Sequence, residues 1–185
     1  MAKTKIFRFD DVSINSDMNT TNAMADFLKE KFPGCVILFG VSPAVNDMSS
    51  FTGVTRERIF PKIFNAYSDH RIFFKVDKVG IPEFTDGVTL ASHGLVHVDH
   101  RLLDKSAQEM SILISSSLVK SSVFIPPFNK YNQDTIDICK EHNIILVKFE
   151  DGWLCMEYNK YNPDHDKWYI HAREFTFEQF KNWFN

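Results

Sequence analysis

Residues 6–15 read IFRFDDVSIN: a short apolar run, two adjacent acids, Asp10 and Asp11, and then a polar turn. The run KIFRF reads as a first strand, with the bulky apolar residues that fill a buried sheet. A strand that ends on paired like charges needs a reason, because no basic neighbour in sequence obviously neutralises either acid. The pair is either solvated in a loop or faces a cation shared with other groups.

Working outward, strands and helices alternate. TTNAMADFLKEKF (20–32) has a helical pattern with Thr and Asn at its start and Pro33-Gly34 at its end, and CVILFGV (35–41) follows as a second strand. Residues 42–70 read as an irregular insertion, with a short helix around TRERIFPKIF (55–64) that Pro61 interrupts. Next come RIFFKV (71–76) and GVTLASHG (87–94) as strands, then LLDKSAQEMSILISSSLVKS (102–121) as a long amphipathic helix. SVFIPPF (122–128), IILVKF (144–149), WLCMEY (153–158) and KWYIHA (167–172) read as strands. NQDTIDICKEHN (132–143) is a helix between them capped by Asn132, and TFEQFKNWF (176–184) is a closing helix begun by Thr176.

Such alternation implies an α/β protein with βαβ units and a parallel sheet, either open and doubly wound or closed into a barrel. At 185 residues, with no repeat and no low-complexity linker, the chain is expected to form a single domain over 1–185. Its net charge of -3 and scattered Lys and Arg argue against a nucleic-acid or anionic-membrane surface, which leaves a small or neutral molecule as partner. No apolar run is long enough to span a bilayer, and none of signal-peptide length precedes the first acids, so a cytoplasmic location is expected. Cys35, Cys139 and Cys155 are odd in number and set among apolar residues, which fits reduced thiols; any metal ligands should then be His and carboxylates. Nothing in the pattern fixes an oligomeric state.

In parallel α/β architectures ligands collect at the carboxyl ends of the strands. The residues trailing the strands here are Asp10 and Asp11, His93 and His97, the segment PPFN, and His171. Asp11, His93 and His97 offer one oxygen and two imidazole nitrogens, a donor set for Zn²⁺ or another first-row divalent ion with positions left open. The spacing His93-x3-His97 would place both rings on one face of a helical turn.

Together these segments resemble the polysaccharide deacetylase family, the NodB-homology esterases and amidases. FRFDDVS matches that family's strand with an acidic pair, SHGLVH its H-[ST]-x-x-H motif, FIPPFN its Arg-x-Pro-aromatic segment, and WYIHA its final strand ending in His. The resemblance implies a distorted, incomplete (β/α) barrel and a metal-dependent deacetylase. It implies one divalent ion, Zn first, held by Asp11, His93 and His97, with Asp10 as general base and His171 as general acid. The substrate would be a carbohydrate or amide: an N-acylated amino sugar or saccharide precursor of surface-polysaccharide assembly, or a non-sugar amide. Pro127, Phe128 and Trp153 would line its pocket, and a backbone N–H near Phe128 would face the oxyanion.

Two departures stand out. Ile125 occupies the place of the third-motif Arg that pairs with the base, leaving Arg173 as a possible substitute from another strand end. Gly94 replaces the Ser or Thr of the second motif, and EDGWL, with Asp151 and Trp153, stands where a Trp beside an Asp is usual. With ligands, base and acid all present, retained chemistry is expected over a binding module that has lost turnover. Asp99 is expected to cap the next helix, and His100 to face solvent. His70, His142 and His165 read as exposed.

Overall fold

The computed structural model describes residues 3–45 and 78–185. Strand β1 (Ile6–Val12) leads to helix α1 (Met18–Lys31), β2 (Val36–Val41) and a small antiparallel ribbon of β3 (Ala44–Val45) and β4 (Lys78–Val79). Then follow β5 (Thr89–Ser92), α2 (Lys105–Val119), β6 (Val123–Phe124), α3 (Gln133–Glu141), β7 (Ile145–Leu146), β8 (Leu154–Cys155), β9 (Lys167–Ile170) and α4 (Phe177–Trp183). Seven strands form one sheet in the order β7-β6-β5-β2-β1-β9-β8, and every pairing in it is parallel. The sheet curls into a half-barrel backed by helices, the distorted, incomplete (β/α) barrel expected from the sequence.

Strand β1 sits between β2 and β9, with Phe7 opposite Ile37 on one side and Trp168 on the other. Side chains alternate along a strand, so Phe7 and Phe9 share one face and Arg8 and Asp10 the other. The phenylalanine face packs under α1 and α4 in a core that includes Met24, Leu28, Phe39, Phe180 and Phe184. Phe9 stacks on Phe39 at 5.0 Å, and Phe27 of α1 meets Phe180 and Phe184 of α4 at 5.9 and 5.7 Å. Each such buried ring contributes about 2 kcal/mol of transfer free energy. Most phenylalanines among the described residues are thus explained as core, and the opposite face of β1 is left for polar chemistry.

Helix boundaries follow their caps. Asp17 caps α1 by accepting from the Thr20 N–H at 3.2 Å, so the helix begins before the Thr and Asn expected to start it. Asp104 caps α2, while Asn132 with Thr135 and Thr176 with Gln179 form reciprocal capping boxes on α3 and α4. The expected strands SVFIPPF, IILVKF and WLCMEY shrink to two paired residues each. Pro126 and Pro127 have no N–H to give a ladder, and the chain after Cys155 turns at once into a 3₁₀ turn, Met156–Tyr158. The helix expected around 55–64, the strand at 71–76, most of the irregular insertion and His70 lie outside the described residues. No helix among the described residues is long and apolar enough to cross a membrane.

Candidate active site

Strict alternation would send Asp10 and Asp11 to opposite faces of the sheet. The register of β1 on β2 shifts between Phe9 and Val12, and Asp11 takes a left-handed φ of 59°. Such a bulge re-aims a side chain. Both acids consequently border one cavity of about 560 Å³, shared with Ser13, Thr20, Arg173 and Phe177.

Asp11 is the hub. Its Oδ1 lies 3.2 Å from His93 Nε2 and 2.8 Å from His97 Nε2, and its Oδ2 lies 3.0 Å from Arg173 Nη2 and 3.9 Å from His171 Nε2. One ligand atom from each of Asp11, His93 and His97 falls within 4.8 Å of the others. Burial by itself would raise the Asp11 carboxyl, but hydrogen bonds from His93 and His97 and their charge outweigh it and hold the group well below the usual carboxylate range.

The His93–Val98 segment is a series of bends, not the helical turn expected from the i,i+4 spacing. It is anchored from several directions. The His93 N–H donates to Val41 O, Ser42 Oγ donates to His93 O, the Ala44 N–H donates to Leu95 O, and the Leu95 N–H donates to Ser111 Oγ of α2. His93 Nδ1 lies 2.8 Å from Ile125 O; a carbonyl can only accept, so Nδ1 carries a proton and Nε2 is the ring nitrogen left to face Asp11.

His100, expected in solvent, is fully buried, with Nε2 at 3.1 Å from Ser111 Oγ and Nδ1 at 3.2 Å from Val98 O. Asp99 does cap, accepting from the Arg101 N–H of a 3₁₀ turn. Gly94 has φ +78°, and a Cβ there would sit 2.9 Å from His100 Cε1 and 3.0 Å from Val96 O. The inward His100 therefore accounts for the glycine in place of Ser or Thr.

Asp10 does have a basic partner, contrary to the sequence reading. Arg8, two residues back on the same face of β1, places Nη2 2.8 Å from Asp10 Oδ2. Arg8 is fully buried, and its guanidinium lies 4.8 Å from the Trp153 ring centroid and 5.0 Å from that of Tyr169. Arg173, considered as a substitute partner for Asp10, reaches Asp11 instead. Sequence carried the signal for Arg8, since i and i+2 share a strand face.

On the other side of Asp11, His171 directs Nδ1 to Glu157 Oε2 at 2.9 Å, and its backbone N–H to Glu157 Oε1 at 2.8 Å. Burial lowers the imidazole pKa, but the bond to Glu157 and the charge of Asp11 more than offset it and raise the group. Glu157 comes from the 3₁₀ turn after β8, where no periodicity marked it. Phe128, 57 % exposed and at φ 57°, sets its ring 4.3 Å from that of His97, while Pro127 is buried beneath the turn. Trp153 is 5 % exposed, and the Arg8 guanidinium lies over its ring at 4.8 Å.

No family model and no curated protein sequence matches the chain. Solved structures do. A family 4 carbohydrate esterase from Streptomyces lividans, in complex with acetate, superposes with a TM-score of 0.57 at 10% identity over 98% of this chain and 84% of that one. A peptidoglycan deacetylase from Bacillus subtilis gives 0.54 at 13% identity, over 98% and 83%. A pseudoenzyme of the same esterase family from Bacillus anthracis gives 0.57 at 9% identity over 98% of this chain and 59% of its own. At such identities the likeness is one of fold, and it runs through nearly the whole chain. The protein has the incomplete (β/α) barrel of the polysaccharide deacetylases, the NodB-type family 4 carbohydrate esterases.

Proposed function

We propose that the protein is a metal-dependent hydrolase that removes an acetyl group from an N-acylated amino sugar or saccharide precursor. The observation that carries this reading is the meeting of His93 Nε2 and Asp11 Oδ1 at 3.2 Å while the other ring nitrogen is committed to Ile125 O. Two imidazole nitrogens converging on one carboxylate oxygen, with His97 Nε2 beside His93 Nε2, form the donor arrangement that a divalent cation takes. Two imidazoles and a carboxylate suit zinc among the first-row ions. His97 is 30 % exposed, which leaves one side of the triad open to a substrate.

A divalent ion held by Asp11, His93 and His97 supplies Lewis-acid polarisation of the attacking water and of the amide carbonyl. The remaining steps belong to this chain's side chains. Asp10 presents a buried Oδ1 that has no hydrogen-bond partner among the described residues, a free lone pair suited to accept the proton of the attacking water. His171, its Nδ1 proton given to Glu157, faces the site through Nε2 and delivers a proton from that atom to the departing nitrogen. The backbone N–H near Phe128 stabilises the developing oxyanion, and the exposed Phe128 ring offers an apolar face to a pyranose.

The competing reading is a sugar-binding module of the same fold without turnover. It draws support from Arg173, whose Nη2 holds Asp11 Oδ2 at 3.0 Å, and from the pseudoenzyme among the similar structures. Metal analysis combined with acetate release from N-acetylglucosamine oligomers separates the two. Asp11→Ala is expected to lose the metal, whereas Asp10→Asn keeps it and loses about a hundredfold or more in kcat. A metal-loaded protein inert on these oligomers, with Asp10→Asn and His171→Ala binding them normally, establishes the binding module.

A further inference from the structure

Arg8 is costly where it stands. It is fully buried on the inner face of β1, and only Nη2 of its three nitrogens is satisfied: Nε and Nη1 have no partner among the described residues. A buried ion pair with unmet donors is at best neutral for stability, and an apolar residue of similar volume would serve the core as well or better. Stability therefore does not account for it.

Its geometry does. The guanidinium lies between the rings of Trp153 and Tyr169, at 4.8 and 5.0 Å, so the group has little freedom to turn. From that clamp Nη2 donates to Asp10 Oδ2 at 2.8 Å and to Asn129 Oδ1 at 2.6 Å. Asn129 belongs to the 3₁₀ turn of Pro127 and Phe128, so one cation ties the acid of β1 to the turn bordering the triad. With Oδ2 held, the planar carboxylate has one place left for Oδ1. That place is against Gly40 of β2, where an added Cβ would lie 3.4 Å from Asp10 Oδ1 and 3.3 Å from Ile125 Cδ1. Gly40 thus permits a close approach at which Asp10 and Ile125 sit side by side.

We propose that Arg8 is a positioning residue for Asp10: clamped between two aromatic rings, it holds Oδ2 so that Oδ1 is presented as the proton acceptor, in register with the Phe128 turn. This rests on the reading of Asp10 as the base. It also implies that a guanidinium brought in from the neighbouring strand end at Ile125 can restrain the same carboxylate, since Ile125 and Asp10 both border Gly40.

Arg8→Met and the double variant Arg8→Met/Ile125→Arg test it, with zinc-loaded protein and acetate release from N-acetylglucosamine oligomers. Arg8→Met is expected to keep its zinc and KM while kcat falls about a hundredfold, the cost of a misplaced reacting group. The double variant recovers about tenfold or more of that loss, and Arg8→Lys, which keeps charge but not the planar fork, falls between. A kcat for Arg8→Met within about threefold of wild type, or a double variant no better than the single one, overturns the proposal. If Arg8→Met does not fold, Arg8→Lys against Arg8→Lys/Ile125→Arg makes the same comparison.

Should the wild type release no acetate, the hydrolase reading fails by itself, and crystal structures then decide on Arg8. An Asp10 Oδ1 displaced by about 1 Å or more in Arg8→Met and returned in the double variant supports positioning. An unmoved carboxylate overturns it.

Discussion

The two sides of the cluster around Asp11, its two walls, are built differently. The wall carrying His93 and His97 is tied by backbone and hydroxyl hydrogen bonds to β2, β3, α2 and the segment after β6, and fully buried His100 fills the space beneath it. The wall carrying His171 follows β9, has its side chain held by one carboxylate, Glu157, and continues into Arg173, which is 68 % exposed. A metal ligand has to keep its distance to within a few tenths of an ångström, whereas a proton donor needs orientation and access. On the proposed function, the contrast suits holding by one wall and exchange by the other.

The largest effect expected from breaking the rigid wall is on stability in acid. Burial pushes the His100 imidazole down to about 4 from its ordinary 6.5. A base with a depressed folded pKa is neutral in the fold while the unfolded chain takes up a proton. Its contribution is therefore complete above pH 6.5 and declines as the pH falls from there toward 4, by about 3 kcal/mol. Urea unfolding of the metal-free protein between pH 7.5 and 4 should show this loss in wild type and a flatter dependence in His100→Asn. Parallel slopes would mean that His100 is not buried as a neutral ring.

The second test isolates the other wall. Glu157→Gln removes the charge opposite His171 Nδ1 but touches none of Asp11, His93 or His97. We expect kcat to fall about a hundredfold, the scale of an acid–base contribution, with zinc content unchanged. Cys155 Sγ also donates to Glu157 Oε2, so Cys155→Ala is the control for the shared oxygen and should cost much less than Glu157→Gln. Zinc loss in Glu157→Gln would erase the division between the walls.

How much of this was legible in the sequence depended on the kind of signal. Asp11, His93 and His97 could be gathered because a parallel sheet places strand ends on one rim, and these are chemically conspicuous residues at such ends. Their local conformation could not: i,i+4 spacing fits a helical turn, but a bent loop anchored by Ser42 and Ser111 delivers both rings equally well. Arg8 is hidden in an apolar run, and its pairing with Asp10 shows only when residues two places apart on one strand face are considered. His100 and Gly94 explain each other only once α2 is packed against the loop. The two-residue strands at the rims owe their pairing to neighbours, not to propensity, and ran shorter than their apolar runs.

The smallest expected effect concerns Arg173. Its contact with Asp11 Oδ2 invites the view that it blocks the metal ligand and marks an inert site. An exposed guanidinium, however, is screened by water, and an ion pair of this kind is worth about 1 kcal/mol or less. On the proposed function, a divalent ion would hold the same carboxylate with far greater affinity, so Arg173 should yield or shift at little cost. Arg173→Ala is accordingly expected to change the zinc dissociation constant by no more than about threefold, as measured by competition with a chelating dye. An affinity gain of about a hundredfold would show that the arginine truly competes for Asp11, and the exposed wall would then act as a latch on the ligand instead of a seat for the proton donor.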